Sequence, residues 1–248
     1  MDSTVPAPPP ADQGNAATPP QVSPPARRAM GVVFSGIAKL QHGRAFHPRG
    51  MTFEASVRPA DAAGGAAVLP TGGGVALVRL SRAVSLPERV PDVHGLAFRL
   101  PDVYGPGRHQ DVLLSTAGEL PGLRSVLMPA TGIDRRRYSS LLPYRHRNRL
   151  VLLSARYAGP PRRSPLHIDD LEHAANAGQL AFEVAVARLR GPWRTVARLT
   201  LRRRVPAGES ERLRFHPWNT STELRPVGPM SNLRAPAYEA SHSAATSE

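Results

Sequence analysis

The chain has 248 residues, of which 41% are apolar and 5% aromatic, so it is long enough to bury one core built mainly from Val, Leu and Ala. It contains no cysteine, which excludes disulfides, thiolate nucleophiles and cysteine-ligated metals. Its formal net charge of +13 comes almost wholly from arginine, since Lys39 is the only lysine, and this charge favours anionic partners. No apolar run predicts a membrane span or an export signal, so we expect a cytoplasmic protein.

The two ends of the chain are predicted to be disordered. Residues 1–29 carry eight prolines among Ala, Ser, Thr and Gln, and such a segment cannot bury enough apolar surface to offset its chain entropy. Residues 241–248 have the same polar character. We therefore expect one folded domain over residues 30–240.

The predicted domain is mainly β-structure. Its apolar runs are short and are bounded by Gly and Pro, a pattern typical of an antiparallel sheet or barrel. The last two runs flank Gly191-Pro192-Trp193, which predicts a hairpin. The predicted strands cover residues 53–57, 75–80, 95–100, 111–115, 150–154, 182–188 and 195–201.

Two helices are predicted between these strands. One covers residues 167–177, with Asp169 or Asp170 as the N-cap and Gly178 just after the C-terminus. The other covers residues 134–142. The His and Asp side chains of the first helix are expected to be caps and surface residues, because they do not gather a full set of metal ligands on one face.

Two motifs of basic and polar residues carry the main functional signal. In the first, Arg44 lies three residues before His47, and Gly50 lies three residues after it. In the second, Arg79 and Ser81 stand two apart on a predicted strand, so their side chains share one face. These motifs, with the segments that follow them, resemble the distal haem site of catalases.

The resemblance to the catalase superfamily extends over about residues 44–238. Matching segments occur in the family's order, and collinear matches indicate a shared fold more strongly than any single motif. The segments are residues 44–57, 78–81, 92–100, 170–186 and 215–238. The resemblance implies a mainly β (α+β) fold, with a catalase-like antiparallel β-barrel and a few short helices.

The resemblance also implies roles for individual residues. His47 corresponds to the distal histidine that transfers a proton between the peroxide oxygens. Ser81 corresponds to the serine that holds this histidine, and Ser115 stands where catalases have a distal asparagine. Arg44 and Arg79 correspond to arginines that pair with haem propionates. The implied cofactor is haem, and the implied reaction is peroxide cleavage or a haem-assisted oxidation.

The iron ligand implied by the resemblance is a tyrosinate. The helix that usually carries this tyrosine is expected to be missing, and Tyr238 is the only tyrosine near the C-terminal end of the sequence. Arg234 lies four residues before it, and a cation at that spacing lowers a tyrosine pKa. The alternative is that Tyr238 packs behind Pro236 and that haem is absent or held by another side chain.

Two further functions stay open at this point. A barrel without haem would bind an anionic ligand or hydrolyse an anionic ester such as a phosphodiester, although the sequence identifies no nucleophile. The arginines of residues 135–149, with Tyr138 and Tyr144 between them, are suited to contact phosphates and stack on bases. A solvated arginine-rich face explains the same residues more simply, and no nucleic-acid-binding module is apparent.

Overall fold

A computed structural model describes residues 50–60, 68–70, 73–83 and 90–227. The predicted tails, the motif that contains Arg44 and His47, and the segment that contains Tyr238 lie outside the described residues. The domain boundaries at residues 30 and 240 therefore stay predictions.

The described part of the chain is built from ten antiparallel strands. All seven predicted strands are confirmed, and most are longer than the sequence indicated, because the flanking polar residues continue the pairing. The short strands β5, β6 and β10 were not predicted. The strands are β1 Gly50–Pro59, β2 Gly74–Arg82, β3 His94–Leu100, β4 Gln110–Thr116, β5 Tyr138–Ser139, β6 Tyr144–His146, β7 Arg149–Tyr157, β8 Ala181–Arg188, β9 Arg194–Arg204 and β10 Leu224–Pro226.

Eight of these strands close into a barrel. The pairing runs in the order β7-β5-β4-β3-β2-β1-β9-β8, and β8 then pairs with β7 to complete the ring. β6 and β10 extend from β7 outside the ring. Closure leaves no free edge in the ring, so every barrel strand has hydrogen-bonded neighbours on both sides. The predicted mainly β, antiparallel barrel is confirmed.

The barrel interior is filled by the alternate residues of each strand. In β2 and β3, Val78 pairs with Phe98 and Leu80 pairs with Leu96, and all four side chains are buried. Across the barrel, the ring of Phe182 packs edge-to-face against two tyrosine rings, with centroids 6.0 Å apart in each case. Such alternation places every second residue of a strand in the core and the rest on the outer face.

Helices in the described ranges are short. The helix predicted over residues 167–177 is confirmed as a 3₁₀ turn, Ile168–Asp170, followed by α1, Leu171–Asn176. Gly178 has a φ of +68°, as a residue ending a helix often does. A second helix, α2, covers Ala207–Arg212 and was not predicted. No helix among the described residues is long and apolar enough to span a membrane.

The helix predicted over residues 134–142 is wrong. These residues form turns and the two-residue strand β5, which pairs with both β4 and β7. Tyr138 is fully buried in the core, and its hydroxyl donates to the carbonyl of Ile133 at 2.9 Å. Burial of this large ring and closure of the barrel outweigh the weak helix propensity of the segment.

Candidate functional site

A row of small residues crosses the outer face of the barrel. Residues directly opposite one another in antiparallel strands point to the same face, so the strand register defines the row. We call it the outer row, and it consists of Gly50, Ser81, Gly95, Ser115, Ser139, Ser154 and Ala185 on β1, β2, β3, β4, β5, β7 and β8. Since none of these side chains is larger than serine, little side-chain volume projects from the barrel wall along this line.

Arg79 lies beside the first residues of the outer row. It precedes Ser81 by two residues on β2, so both side chains leave the same face. The Arg79 guanidinium lies against Gly50, because a Cβ added to Gly50 would stand 2.7 Å from Arg79 Nη2. Glycine at position 50 therefore leaves the space that the guanidinium occupies.

Two hydroxyl groups hold Arg79 in place. Arg79 Nη1 donates to Ser210 Oγ at 3.2 Å, and Ser210 Oγ shares a hydrogen bond with Thr52 Oγ1 at 2.6 Å. Ser210 lies on α2 and Thr52 on β1, and both are buried. These hydrogen bonds thus attach the helix α2 to the barrel next to the Arg79 guanidinium.

The Arg79 guanidinium borders a cavity of about 130 Å³ that Arg204 and Glu211 also line. Burial lowers the pKa of Arg79, the nearby cation of Arg214 lowers it further, and Glu211 opposes both effects. Among the described residues, no carboxylate forms an ion pair with Arg79. A partly desolvated guanidinium of this kind is suited to pair with the carboxylate of a ligand.

Ser81 and Ser115, both predicted site residues, are brought to the same row by the pairing of their strands with β3. Gly95 stands between them, and a Cβ added there would lie 2.7 Å from Ser81 Oγ. Ser81 is 6% exposed and Ser115 is half-buried. The structure therefore gathers Arg79, Ser81 and Ser115 on one surface, while Arg44, His47 and Tyr238 lie outside the described residues.

Three arginine and tryptophan side chains cover the other end of the outer row. Arg137 Nη1 donates to Ser154 Oγ at 3.1 Å. The guanidinium carbons of Arg124 and Arg137 lie 4.6 Å and 5.2 Å from the centroid of a Trp193 ring. We call Arg124, Trp193 and Arg137 the cationic stack, and it leaves the first four residues of the row as the more open end.

A polar cluster lies inside the barrel, beneath the outer row. Arg82 pairs with His94 across β2 and β3, and Arg82 Nε lies 3.3 Å from a carboxylate oxygen of Asp92. The backbone N–H of His94 donates to Thr116 Oγ1 at 3.1 Å. Burial lowers the pKa of His94 to about 4, although the negative charge of Asp92 acts in the opposite direction. The imidazole of His94 is thus neutral at neutral pH.

The four tyrosines of the described residues are poor candidates for a tyrosinate. Burial raises the pKa of each of them, namely Tyr104, Tyr138, Tyr144 and Tyr157. The hydroxyl groups of three are bonded elsewhere: Tyr104 to Gln110, Tyr138 to Ile133, and Tyr157 to Pro160 and Gln179. A tyrosinate needs the opposite shift, towards a lower pKa.

The arginines of the predicted basic patch are partly engaged by the protein itself. Arg135 donates to the carbonyls of Arg162 and Arg163, and Arg136 donates to the carbonyl of Pro129. No group of three or more His, Asp or Glu side chains suited to a metal ion occurs in the described ranges.

Sequence reasoning missed several residues that build this surface. Ser139 and Ser154 carry no motif of their own, and they become significant only through strand register. Ser210 reaches Arg79 from a position 131 residues away in the chain. A pattern among neighbouring residues in the sequence predicts neither the strand register nor the contact between Ser210 and Arg79.

The architecture is that of the catalases. The chain is similar to a bacterial catalase structure (TM-score 0.52, 13% identity, 86% of this chain and 60% of that one). It is also similar to a fungal catalase (0.55, 12%, 94% and 65%) and to catalase A from Saccharomyces cerevisiae (0.55, 13%, 94% and 67%). This chain thus spans about two thirds or less of the length of these catalases.

At this level of identity the likeness establishes the catalase-like fold, as the sequence predicted. No family model matches the chain, and no curated protein matches it. Activity and cofactor depend on the residues of the site and do not follow from the fold.

Proposed function

We propose that this protein binds haem against the open end of the outer row and that the bound haem reacts with peroxide. The observation that supports the proposal best is Arg79, a partly buried guanidinium without a carboxylate partner among the described residues, beside a row of glycines and serines. A planar, dianionic macrocycle needs a surface that is flat and a cation at its edge. The catalase-like fold also leads us to expect a bound haem.

The residues of this surface fit haem in three respects. Gly50 and Gly95 have no side chain, so the Arg79 guanidinium and the Ser81 hydroxyl can lie close to the barrel wall, where they face a bound ring. Arg79 is placed to pair with a propionate, and Arg44 is the second arginine expected to do so by resemblance. Ser81 and Ser115 line the same row and provide hydroxyl groups beside the ring.

Tyr238 is the iron ligand in this proposal. The sequence contains five tyrosines, and the four in the described residues have raised pKa values and, in three cases, other hydrogen-bond partners. A tyrosinate ligand is what the resemblance to catalases implies, and the proposal assigns this role to Tyr238, where Arg234 four residues earlier supplies the cation that favours its ionised form.

Haem, when bound, supplies an iron centre that reacts with peroxide. His47 accepts and returns the proton of the peroxide, a task that suits an imidazole near neutral pH. Ser81 orients that imidazole through its hydroxyl. Ser115 stands where catalases have an asparagine. Its hydroxyl donates a hydrogen bond in place of the amide, but over a shorter reach.

Titration of the purified chain with haemin tests the proposal directly. We expect a Soret band that saturates with one haem per chain, and peroxide turnover that the His47→Ala variant loses. The Tyr238→Phe variant should remain folded and lose the wild-type haem spectrum. A chain that gives no Soret shift, or a His47→Ala variant with undiminished turnover, would refute the proposal.

A second candidate function is binding of an anionic ligand by a barrel that carries no haem. The polar cavity of about 130 Å³ beside Arg79 favours it, because this cavity is too small for a macrocycle but large enough for one acidic group. Hydrolysis of an anionic ester is the corresponding reaction, and a panel of phosphodiesters with and without EDTA tests it. Absence of both hydrolysis and anion binding would refute this candidate.

A further inference from the structure

The cationic stack is held together by an unusual set of contacts. Arg124 comes from the loop after β4, Arg137 directly precedes β5, and Trp193 lies in the turn between β8 and β9. Arg124 Nη1 donates to the carbonyl of Gly191 at 2.7 Å, which fixes its guanidinium beside the turn. Three separate segments therefore converge on one indole ring.

Two hydrogen-bond donors of the stack are buried in the protein. Arg124 is 5% exposed, and among the described residues its Nε atom has no hydrogen-bond partner. The indole Nε1 of Trp193 is likewise buried without an acceptor in these residues. A buried donor without an acceptor is destabilising, so a group that accepts from both of these atoms would stabilise the contact.

A second feature of the stack is its concentration of positive charge. In the part of the chain that the structure describes, neither Arg124 nor Arg137 forms a salt bridge. Burial lowers the pKa of both arginines, and the cation of Arg156 lowers that of Arg137 further. Glu119 and Glu183 act on Arg137 only at a distance, without an ion pair. Two desolvated guanidiniums with so little negative charge around them attract an anion.

We propose that Arg124, Arg137 and Trp193 form a binding site for a small oxyanion, the carboxylate or phosphate group of a small molecule. The ligand's oxygens accept from Arg124 Nε and Trp193 Nε1 and pair with the Arg137 guanidinium. This site lies at the opposite end of the outer row from Arg79 and needs no haem. Its test is therefore independent of the proposed function.

Fluorescence of Trp193 reports on this site directly. The sequence has two tryptophans, so a Trp218→Phe background leaves Trp193 as the single emitter. This protein is titrated with inorganic phosphate and, separately, with acetate, while sodium chloride keeps the ionic strength constant. A saturable change in emission is expected, and the anion with the lower Kd identifies the group as phosphate or carboxylate. An unchanged emission, or a change that follows salt alone, overturns the proposal.

Matched variants then locate the site. Arg124→Gln and Arg137→Gln should each weaken binding by about tenfold, because each removes a charged partner. Arg136→Gln removes the same charge from the neighbouring residue, which bonds to Pro129, and should change Kd by less than about twofold. Equal weakening by Arg136→Gln and Arg137→Gln overturns the proposal.

Trp193→Phe keeps an aromatic ring between the guanidiniums and removes only the indole N–H. Calorimetric titration of this variant should show binding weakened by about tenfold, with an unchanged thermal unfolding curve. This variant tests the site even where an arginine substitution prevents folding. Wild-type affinity in Trp193→Phe would overturn the assigned contacts.

Discussion

The inner and outer faces of the same barrel strands differ in what they contribute. On β2, Val78 and Leu80 point inward and are fully buried, whereas Arg79 and Ser81 point outward and belong to the candidate site. Because the two faces alternate residue by residue, a register shift of one residue would exchange them. The comparison indicates that the interior fixes the fold and the register, and that the register in turn assembles the outer row.

The largest expected effect is on the inner face. Phe182→Ala removes a fully buried ring that contacts the rings of Tyr138 and Tyr157, and it should lower the free energy of unfolding by about 3–5 kcal/mol. Urea denaturation measures the loss. Leu120→Ala is the control, because Leu120 is 67% exposed and its truncation should change stability by less than about 0.5 kcal/mol. Similar losses of stability in the two variants would contradict the claim that the barrel interior fixes the fold.

The next largest effect is a pH dependence of stability that arises from His94, in the polar cluster inside the barrel. Burial lowers the folded-state pKa of His94 to about 4, below the ordinary histidine value of 6.5, so the unfolded chain takes up a proton first as pH falls. The contribution of neutral His94 to the free energy of unfolding is fully present above pH 6.5. It is lost progressively as the pH falls from 6.5 to about 4. The loss amounts to about 3 kcal/mol for a shift of this size.

Urea denaturation at pH 7, 6, 5 and 4 checks this pH dependence. A His94→Gln variant has no proton to take up, so its stability should fall less steeply over the same range. The other groups that act on this side chain, Asp92, Arg82 and His167, are the same in both proteins, so the comparison isolates His94. Parallel curves for the two proteins would show that His94 does not contribute.

A smaller effect is expected where the outer row is most tightly packed. Gly95→Ala places a methyl group 2.7 Å from Ser81 Oγ and should lower the free energy of unfolding by about 1–3 kcal/mol. Ser81→Gly removes the clashing hydroxyl group, so the double variant should recover most of the loss. A double-mutant cycle in urea measures the coupling, and additive losses would contradict the contact.

The smallest effect on stability accompanies a change at Arg79. Gly50→Ala puts a methyl group 2.7 Å from Arg79 Nη2, and the flexible side chain can move away at little cost in stability. The displaced guanidinium should then bind haem or another carboxylate about tenfold more weakly. Titration with haemin measures this change, and unaltered affinity would show that the position of Arg79 is unimportant.

The inner face was predictable from the sequence, and the outer face was not. Alternating apolar residues identified the strands around Val78, Phe98 and Phe182, since burial imposes that period directly on the sequence. The outer row depends on the register of seven strands, and a serine such as Ser139 or Ser154 looks ordinary without it. Short strands such as β6 and β10 have too few residues to show any period.

Some residues of the candidate site were likewise predictable from the sequence, and others were not. Arg79 and Ser81 were predicted because a resemblance to catalases drew attention to their motif, and the structure places them on one face. Ser210, Arg124 and Trp193 were missed, because each acts through a partner distant in the chain. The helix predicted over residues 134–142 was wrong because local propensity carried no information about closure of the barrel.

The central claim, that haem binds against the outer row, is tested most directly by blocking the row itself. Gly95→Leu fills the space above β3 between Ser81 and Ser115, whereas Ser56→Leu puts the same side chain six residues beyond Gly50 along β1. Haemin titration of both variants, each shown to be folded, should give a Kd raised about tenfold or more for Gly95→Leu and a Kd within about twofold of wild type for Ser56→Leu. Wild-type haem affinity in Gly95→Leu, or equal losses in the two variants, would contradict the claim.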